Sequence, residues 1–190
     1  MATQRSAQIL VDTFREGALA LLGHDLRIEA PRFELSVASG VLTGHVELGA
    51  LRVLGSMRKG KLDESSPSPS ERAEIEQRMR DEILVVARNP SARITGLLQR
   101  DGARFSLSGT LQLCGRSQPV RASVEPIGDW LETSLTLVPS AYGIAPFRAL
   151  GGALRIADRV VIHVRLPLPT PLTTPTELAA LTARWQRPTQ

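Results

Sequence analysis

The chain has 190 residues, of which 42% are hydrophobic and 22% charged, with a net charge of +4; this is the make-up of a single soluble domain large enough to bury a full core. Its positive residues are mostly arginines scattered among Asp and Glu, and one Tyr, two Trp and four Phe supply no base-stacking platform, which argues against a nucleic-acid partner. The single cysteine, Cys114, excludes an intrachain disulfide and any multi-cysteine metal site.

The N-terminal stretch holds only three consecutive apolar residues, Ile9 to Val11. A secretory leader needs a run of about 7–15 and a membrane span about 18, so the expectation is a cytoplasmic protein without a transmembrane segment. Ser6 to Phe14 and Gly17 to Leu22 read as two short strands joined at Arg15-Glu16. Leu26 to Val37 follows, changing parity at Ala30-Pro31-Arg32, where a bulge or bend is expected. Ser39-Gly40 turns the chain into a strand in which Leu42, Gly44, Val46 and Leu48 alternate with polar residues. A second phase change near Gly49 brings Leu51 and Val53 onto the apolar face.

Glu64 to Ser70 is a Ser/Pro loop leading into the helix expected over about residues 69–87. Ser68 is a natural N-cap, Pro69 suits the first helical position and Glu71 completes a capping box. Ile75, Met79 and Ile83 form a narrow apolar stripe, with Glu74–Arg78 and Glu76–Arg80 as expected ion pairs. Asn89-Pro90 ends the helix.

Strands then run over about residues 92–99, 103–114, 118–125, 130–138 and 159–166. The second of these is the clearest: Phe105, Leu107, Gly109, Leu111 and Leu113 share one parity, and Ser106, Ser108, Thr110 and Gln112 the other. A turn at Gly115 to Ser117 carries the alternation on to Val120, Ala122 and Val124. Cys114 falls on the polar parity, where it reads as a structural thiol. Eight or nine hairpin-linked strands with one inserted helix indicate an antiparallel barrel or sandwich; a barrel leaves no edge to aggregate. Residues 1–167 form this domain. Residues 168–190 are a Pro/Thr-rich tail in which Thr174, Pro175 and Glu177 repeat the cap pattern and Leu178, Leu181 and Trp185 suggest a short helix. That helix would pack on its own barrel or on a second copy in a homodimer, or make weak contact with a membrane surface.

The chemistry-bearing residues are few. His45 and His163 lie on polar parities and read as surface residues. His24 adjoins Asp25, but neighbours on a strand point to opposite faces. No Gly-x-Ser-x-Gly elbow, phosphate loop or metal-ligand spacing occurs, so neither an enzyme nor a bound cofactor or metal is expected.

Four segments in order, Gly23-His24-Asp25-Leu26, Gly109-x-Leu111-x-Leu113-x-Gly115, Ser117-x-Pro119-Val120 and Tyr142-Gly143-Ile144, resemble the YceI-like family of lipid- or polyisoprenoid-binding proteins from about Ile9 to Leu166. The resemblance implies a mainly β fold: an extended eight-stranded antiparallel β-barrel, lipocalin-like, with one inserted α-helix. It implies non-enzymatic carriage of a polyisoprenoid, isoprenoid quinone or similar lipid in a tunnel. Parity and resemblance together name Phe33, Leu35, Val37, Val46, Phe105, Leu107, Leu111, Leu113, Leu135, Tyr142 and Ile162 as lining residues, with His24 as a polar contact at the mouth. Gln118 stands where family members carry a basic residue, Ser140-Ala141 where many carry a charged pair, and the chain lacks the leader of periplasmic members. These departures point to a cytoplasmic branch selecting its ligand by apolar contact. The alternative is an interaction or scaffold protein with a filled barrel, working through the helix face or the tail; a third reading, an isomerase or hydrolase, would depend on His24 or Asp25.

Overall fold

The computed structural model describes residues 6–17, 24–149, 154–168 and 183–186. The strand expected beyond Gly17 and most of the tail lie outside these residues. The strands are β1 (Gln8–Glu16), β2 (Leu26–Glu29), β3 (Phe33–Ala38), β4 (Val41–Glu47), β5 (Arg52–Arg58), β6 (Lys61–Asp63), β7 (Ser91–Asp101), β8 (Arg104–Leu113), β9 (Arg116–Ile127), β10 (Trp130–Leu137), β11 (Arg148–Ala149), β12 (Leu154–Pro167) and β13 (Ala183–Gln186), with helix α1 (Pro69–Arg78) between β6 and β7. All pair antiparallel in one sheet. Its order is β13-β3-β4-β7-β8-β9-β10-β12-β1-β2-β5-β6, with β11 pairing on β12.

The sheet curls because two stretches of chain contribute to both halves of that order. β2 continues into β3 through Ala30-Pro31-Arg32, and β4 continues into β5 through a 3₁₀ turn at Leu48–Ala50. β2 pairs with β1 and β5, whereas β3 pairs with β4 and β13. These breaks fall at the two phase changes in the sequence. They also correct the expectation of a closed eight-stranded barrel. Pro31 has no N–H to give to a ladder and bends the strand there, so β1, paired with β12 on one side, pairs on the other with β2 and not with β3, and the sheet remains a half-barrel. Among the described residues β13 and β6 are its edges. The breaks, with the short β6, β11 and β13, raise the strand number above eight.

Other boundaries also shift. Arg15-Glu16 is no turn: β1 runs through both, with a bulge between Thr13 and Arg15, and stays paired to β12 as far as Glu16–Arg155. The hairpin between β8 and β9 turns at Cys114-Gly115, not at Gly115 to Ser117. Both residues are left-handed (φ 48° and 76°) and Leu113 pairs with Arg116, the two-residue geometry that matches strand twist. Cys114 therefore leaves the strand. Its Sγ lies 3.7 Å from the Leu84 carbonyl, and burial pushes its thiol pKa up.

The capping box forms as expected: the Ser68 hydroxyl accepts the Glu71 N–H, and the Ser68 N–H donates to Glu71 Oε2 at 2.8 Å. The Glu74–Arg78 pair forms at 2.7 Å. Glu76 instead accepts the Val53 N–H at 2.7 Å, which ties the helix to β5. The helix ends in a π turn at Met79–Ile83, short of residue 87. Val85 there turns left-handed (φ 46°), and the Asn89 amide caps the Leu84 carbonyl at 3.0 Å.

The expected C-terminal helix is contradicted at Trp185, which lies in β13 opposite Leu35, with Ala183 opposite Val37. A short isolated helix is marginal in water, whereas the edge of β3 offers a row of unpaired main-chain groups. The Arg184–Glu34 ion pair at 2.7 Å and a hydrogen bond from Trp185 Nε1 to the Pro167 carbonyl at 2.8 Å fix β13 across the seam between β3 and the end of β12.

Curvature also needs close strand approach. Gly96 and Gly109 face each other across β7 and β8, and a side chain on Gly109 would overlap the Thr95 carbonyl oxygen and Gly96 Cα. Backbone cannot yield there as a side-chain tip would. The variant Gly109→Val is expected to lose about 1–3 kcal/mol by overpacking, read as a lower urea midpoint, while Thr110→Val on the outer face leaves the midpoint nearly unchanged.

Candidate ligand-binding cavity

The inward-facing residues of the curled sheet do not meet in a solid core. They enclose a cavity of about 650 Å³, within the range of small-molecule sites, about 300–1,000 Å³. The filled-barrel expectation therefore does not describe the interior. Leu35 and Val37 of β3 and Val46 of β4 border the cavity on one side. Leu107, Leu111 and Leu113 of β8 line the next stretch of wall. Leu135 of β10 and Ile162 of β12 continue it, and Tyr142 and His24 also border it. Phe33 and Phe105 are buried in the core cluster but do not border the space.

Other lining residues were not named from the sequence. Ile9 and Val11 share one parity of β1, and Val160 and Val164 share the parity of Ile162 in β12. The helix stripe Ile75, Met79 and Ile83 covers part of the cavity, and Trp185 adds wall from β13. The four-residue spacing of the stripe was legible; the space it faces was not.

Polar groups at this wall are largely satisfied within the protein. Thr13 Oγ1 accepts the Leu26 N–H at 3.4 Å, and the Thr133 hydroxyl donates to the Ser123 carbonyl at 2.7 Å. Glu71 is held by both the hydroxyl and the N–H of Ser68. Those bonds, with a smaller pull from the charge of His24, set its carboxyl below the usual range. Glu74 pairs with Arg78, and Asp158 accepts the Ser140 N–H and hydroxyl. Tyr142 differs. It lies at the end of the 3₁₀ turn Pro139–Tyr142, is 3% exposed, and burial pushes its phenol pKa up. His24 and Asp25 point apart: His24 borders the cavity, whereas Asp25 Oδ1 accepts the Arg15 N–H at 2.8 Å.

A second polar cluster lies on the opposite face of the wall and corrects the reading of His163 as a plain surface residue. Asp12 accepts Arg27 Nε at 2.8 Å and Nη2 at 2.7 Å. His163 Nε2 lies 3.1 Å from Asp12 Oδ2, and its Nδ1 lies 3.0 Å from Ser134 Oγ. A proton on Nε2 serves the carboxylate and leaves Nδ1 to accept the serine hydroxyl. The cluster bridges β10, β12, β1 and β2. Arg116 and Arg121 are exposed, and Gln118 Nε2 donates to the Ala141 carbonyl at 2.9 Å. Among the described residues no helix is long and apolar enough to cross a membrane.

No protein-family model matches the sequence, and no curated protein does either. Solved structures do match. The chain is similar to BcnA of Burkholderia cenocepacia, with a TM-score of 0.58 and 11% identity over 84% of this chain and 94% of that one. It also aligns with the YceI protein of Campylobacter jejuni, with a TM-score of 0.47 and 11% identity over 70% and 78% of the two chains. The match to BcnA establishes a shared fold.

Proposed function

We propose that this chain is a YceI-like, non-catalytic binding protein that holds one long-chain apolar molecule, a polyisoprenoid, isoprenoid quinone or similar lipid, in its cavity. The observation that carries this reading is a 650 Å³ space walled mainly by apolar side chains. Each methylene removed from water contributes about 0.8 kcal/mol, so a chain of roughly ten buried methylenes gains about 8 kcal/mol before the costs of association. Affinity of this origin needs no charged anchor, in keeping with the internal pairing of Glu71, Glu74, Arg78 and Asp158.

Organic extraction of the purified protein followed by mass spectrometry is expected to release about one equivalent of an apolar compound. The emptied protein is expected to take up N-phenyl-1-naphthylamine with saturable fluorescence enhancement. Clean extracts together with no probe uptake would overturn the reading.

A further inference from the structure

We infer that Tyr142 is the hydrogen-bond donor that recognises the ligand's head, and that this head is an uncharged acceptor oxygen such as that of an alcohol, ketone, ester or amide. The inference rests on the cavity being a lipid site and adds the chemistry of its polar end.

Tyr142 is almost wholly buried yet its hydroxyl makes no hydrogen bond among the described residues, although buried polar groups are overwhelmingly paired. Its oxygen is not sealed in packed protein either. Among the described residues the unpartnered side-chain polar atom fully cut off from solvent is Ser56 Oγ. The phenol oxygen therefore meets accessible space, and the space Tyr142 borders is the cavity. Burial holds the phenol in its neutral, donating form. Around the same cavity Glu71, Glu74, Arg78 and Asp158 are already engaged by Ser68, one another and Ser140. An anionic head would meet the carboxylates of Glu71, Glu74 and Asp158 at this wall, where the Arg78 guanidinium is already held by Glu74. A neutral acceptor oxygen satisfies the phenol and leaves those pairs intact.

The chain has one tyrosine, so tyrosine-specific signals report on this position alone. Protein carrying [13Cζ]-tyrosine would be titrated with three lipids of equal chain length, oleyl alcohol, oleate and 1-octadecene, while displacement of N-phenyl-1-naphthylamine measures affinity. The expected result is that oleyl alcohol binds most tightly and shifts the Cζ resonance, whereas 1-octadecene displaces the probe without the hydrogen-bond shift. In Tyr142→Phe, oleyl alcohol is expected to weaken about 2- to 10-fold, the worth of one neutral hydrogen bond, with 1-octadecene unchanged. Equal weakening of both lipids, an unchanged alcohol affinity, or tighter binding of oleate than of the alcohol would overturn the assignment while leaving the cavity a lipid site. Failure of every lipid to displace the probe, or of the probe to bind, would overturn both.

Discussion

Replacing Ala122 with phenylalanine is expected to abolish uptake of N-phenyl-1-naphthylamine while leaving the protein folded. Ala122 lies on β9 opposite Leu107, and both border the cavity. The new ring therefore enters space a ligand would occupy and displaces no packed side chain of its own strand. Overpacking a filled core costs about 1–3 kcal/mol; here the open volume absorbs much of that strain. A loss of at least tenfold in probe affinity, about 1.4 kcal/mol, with an unchanged far-ultraviolet spectrum is the predicted outcome. Unaltered uptake in a folded variant would show that the probe binds elsewhere.

Loss of the Asp12 carboxylate is expected to be the most damaging single change on the opposite face of the wall. Asp12 is 8% exposed and holds Arg27 through two bonds and His163 through a third. In Asp12→Ala the Arg27 guanidinium and the imidazole lose their shared acceptor. Removing one partner of a fully buried pair costs about 3–5 kcal/mol. Arg27 keeps some contact with solvent, so about 2–3 kcal/mol is expected, or roughly 5–10 °C in Tm for a chain of this size. The same site gives a pH dependence. Burial alone would raise the Asp12 pKa, but the bonds and charge of Arg27, with a smaller part from His163, outweigh it and hold the carboxyl below its usual value. A carboxyl depressed by folding contributes stability that is complete above its unfolded pKa, about 3.9, and lost as pH falls through the folded value. Wild type is therefore expected to lose stability below about pH 4 more steeply than Asp12→Ala, as measured by urea midpoints across that range.

The strand pattern was legible because a half-buried antiparallel strand writes its faces into the sequence with a period of two, as Phe105 to Leu113 do. The helix start was legible for a local reason as well: Ser68, Pro69 and Glu71 satisfy one another within one turn. Two things were not legible. Thr174, Pro175 and Glu177 carry the same cap signature, yet Trp185 lies in a strand, because the edge of β3 decides its conformation and that edge is distant in sequence. Parity also names the face a residue occupies without fixing how far the opposite wall stands. Leu107 and Leu35 would alternate identically around a solid core, and the bends at Pro31 and Leu48 that shape the space are tertiary outcomes. Tyr142 was identified through family resemblance, while its unpartnered hydroxyl is visible only in three dimensions.

The seam has a consequence for how the molecule comes into being. Gln8 pairs with Arg165, and Leu35 waits for Trp185, so β1 and β3 are each completed by a strand about 150 residues further along the chain. At about 5–20 residues per second, translation leaves β1 without β12 for on the order of ten seconds or more. Pairings this distant in sequence also close slowly once the chain is free. During that interval β3, β4, β7, β8 and β9 can pair in that order, but their apolar faces stay uncovered. A lipid present at the ribosome would meet an open trough, and the wall is complete only once β12 and β13 have joined it.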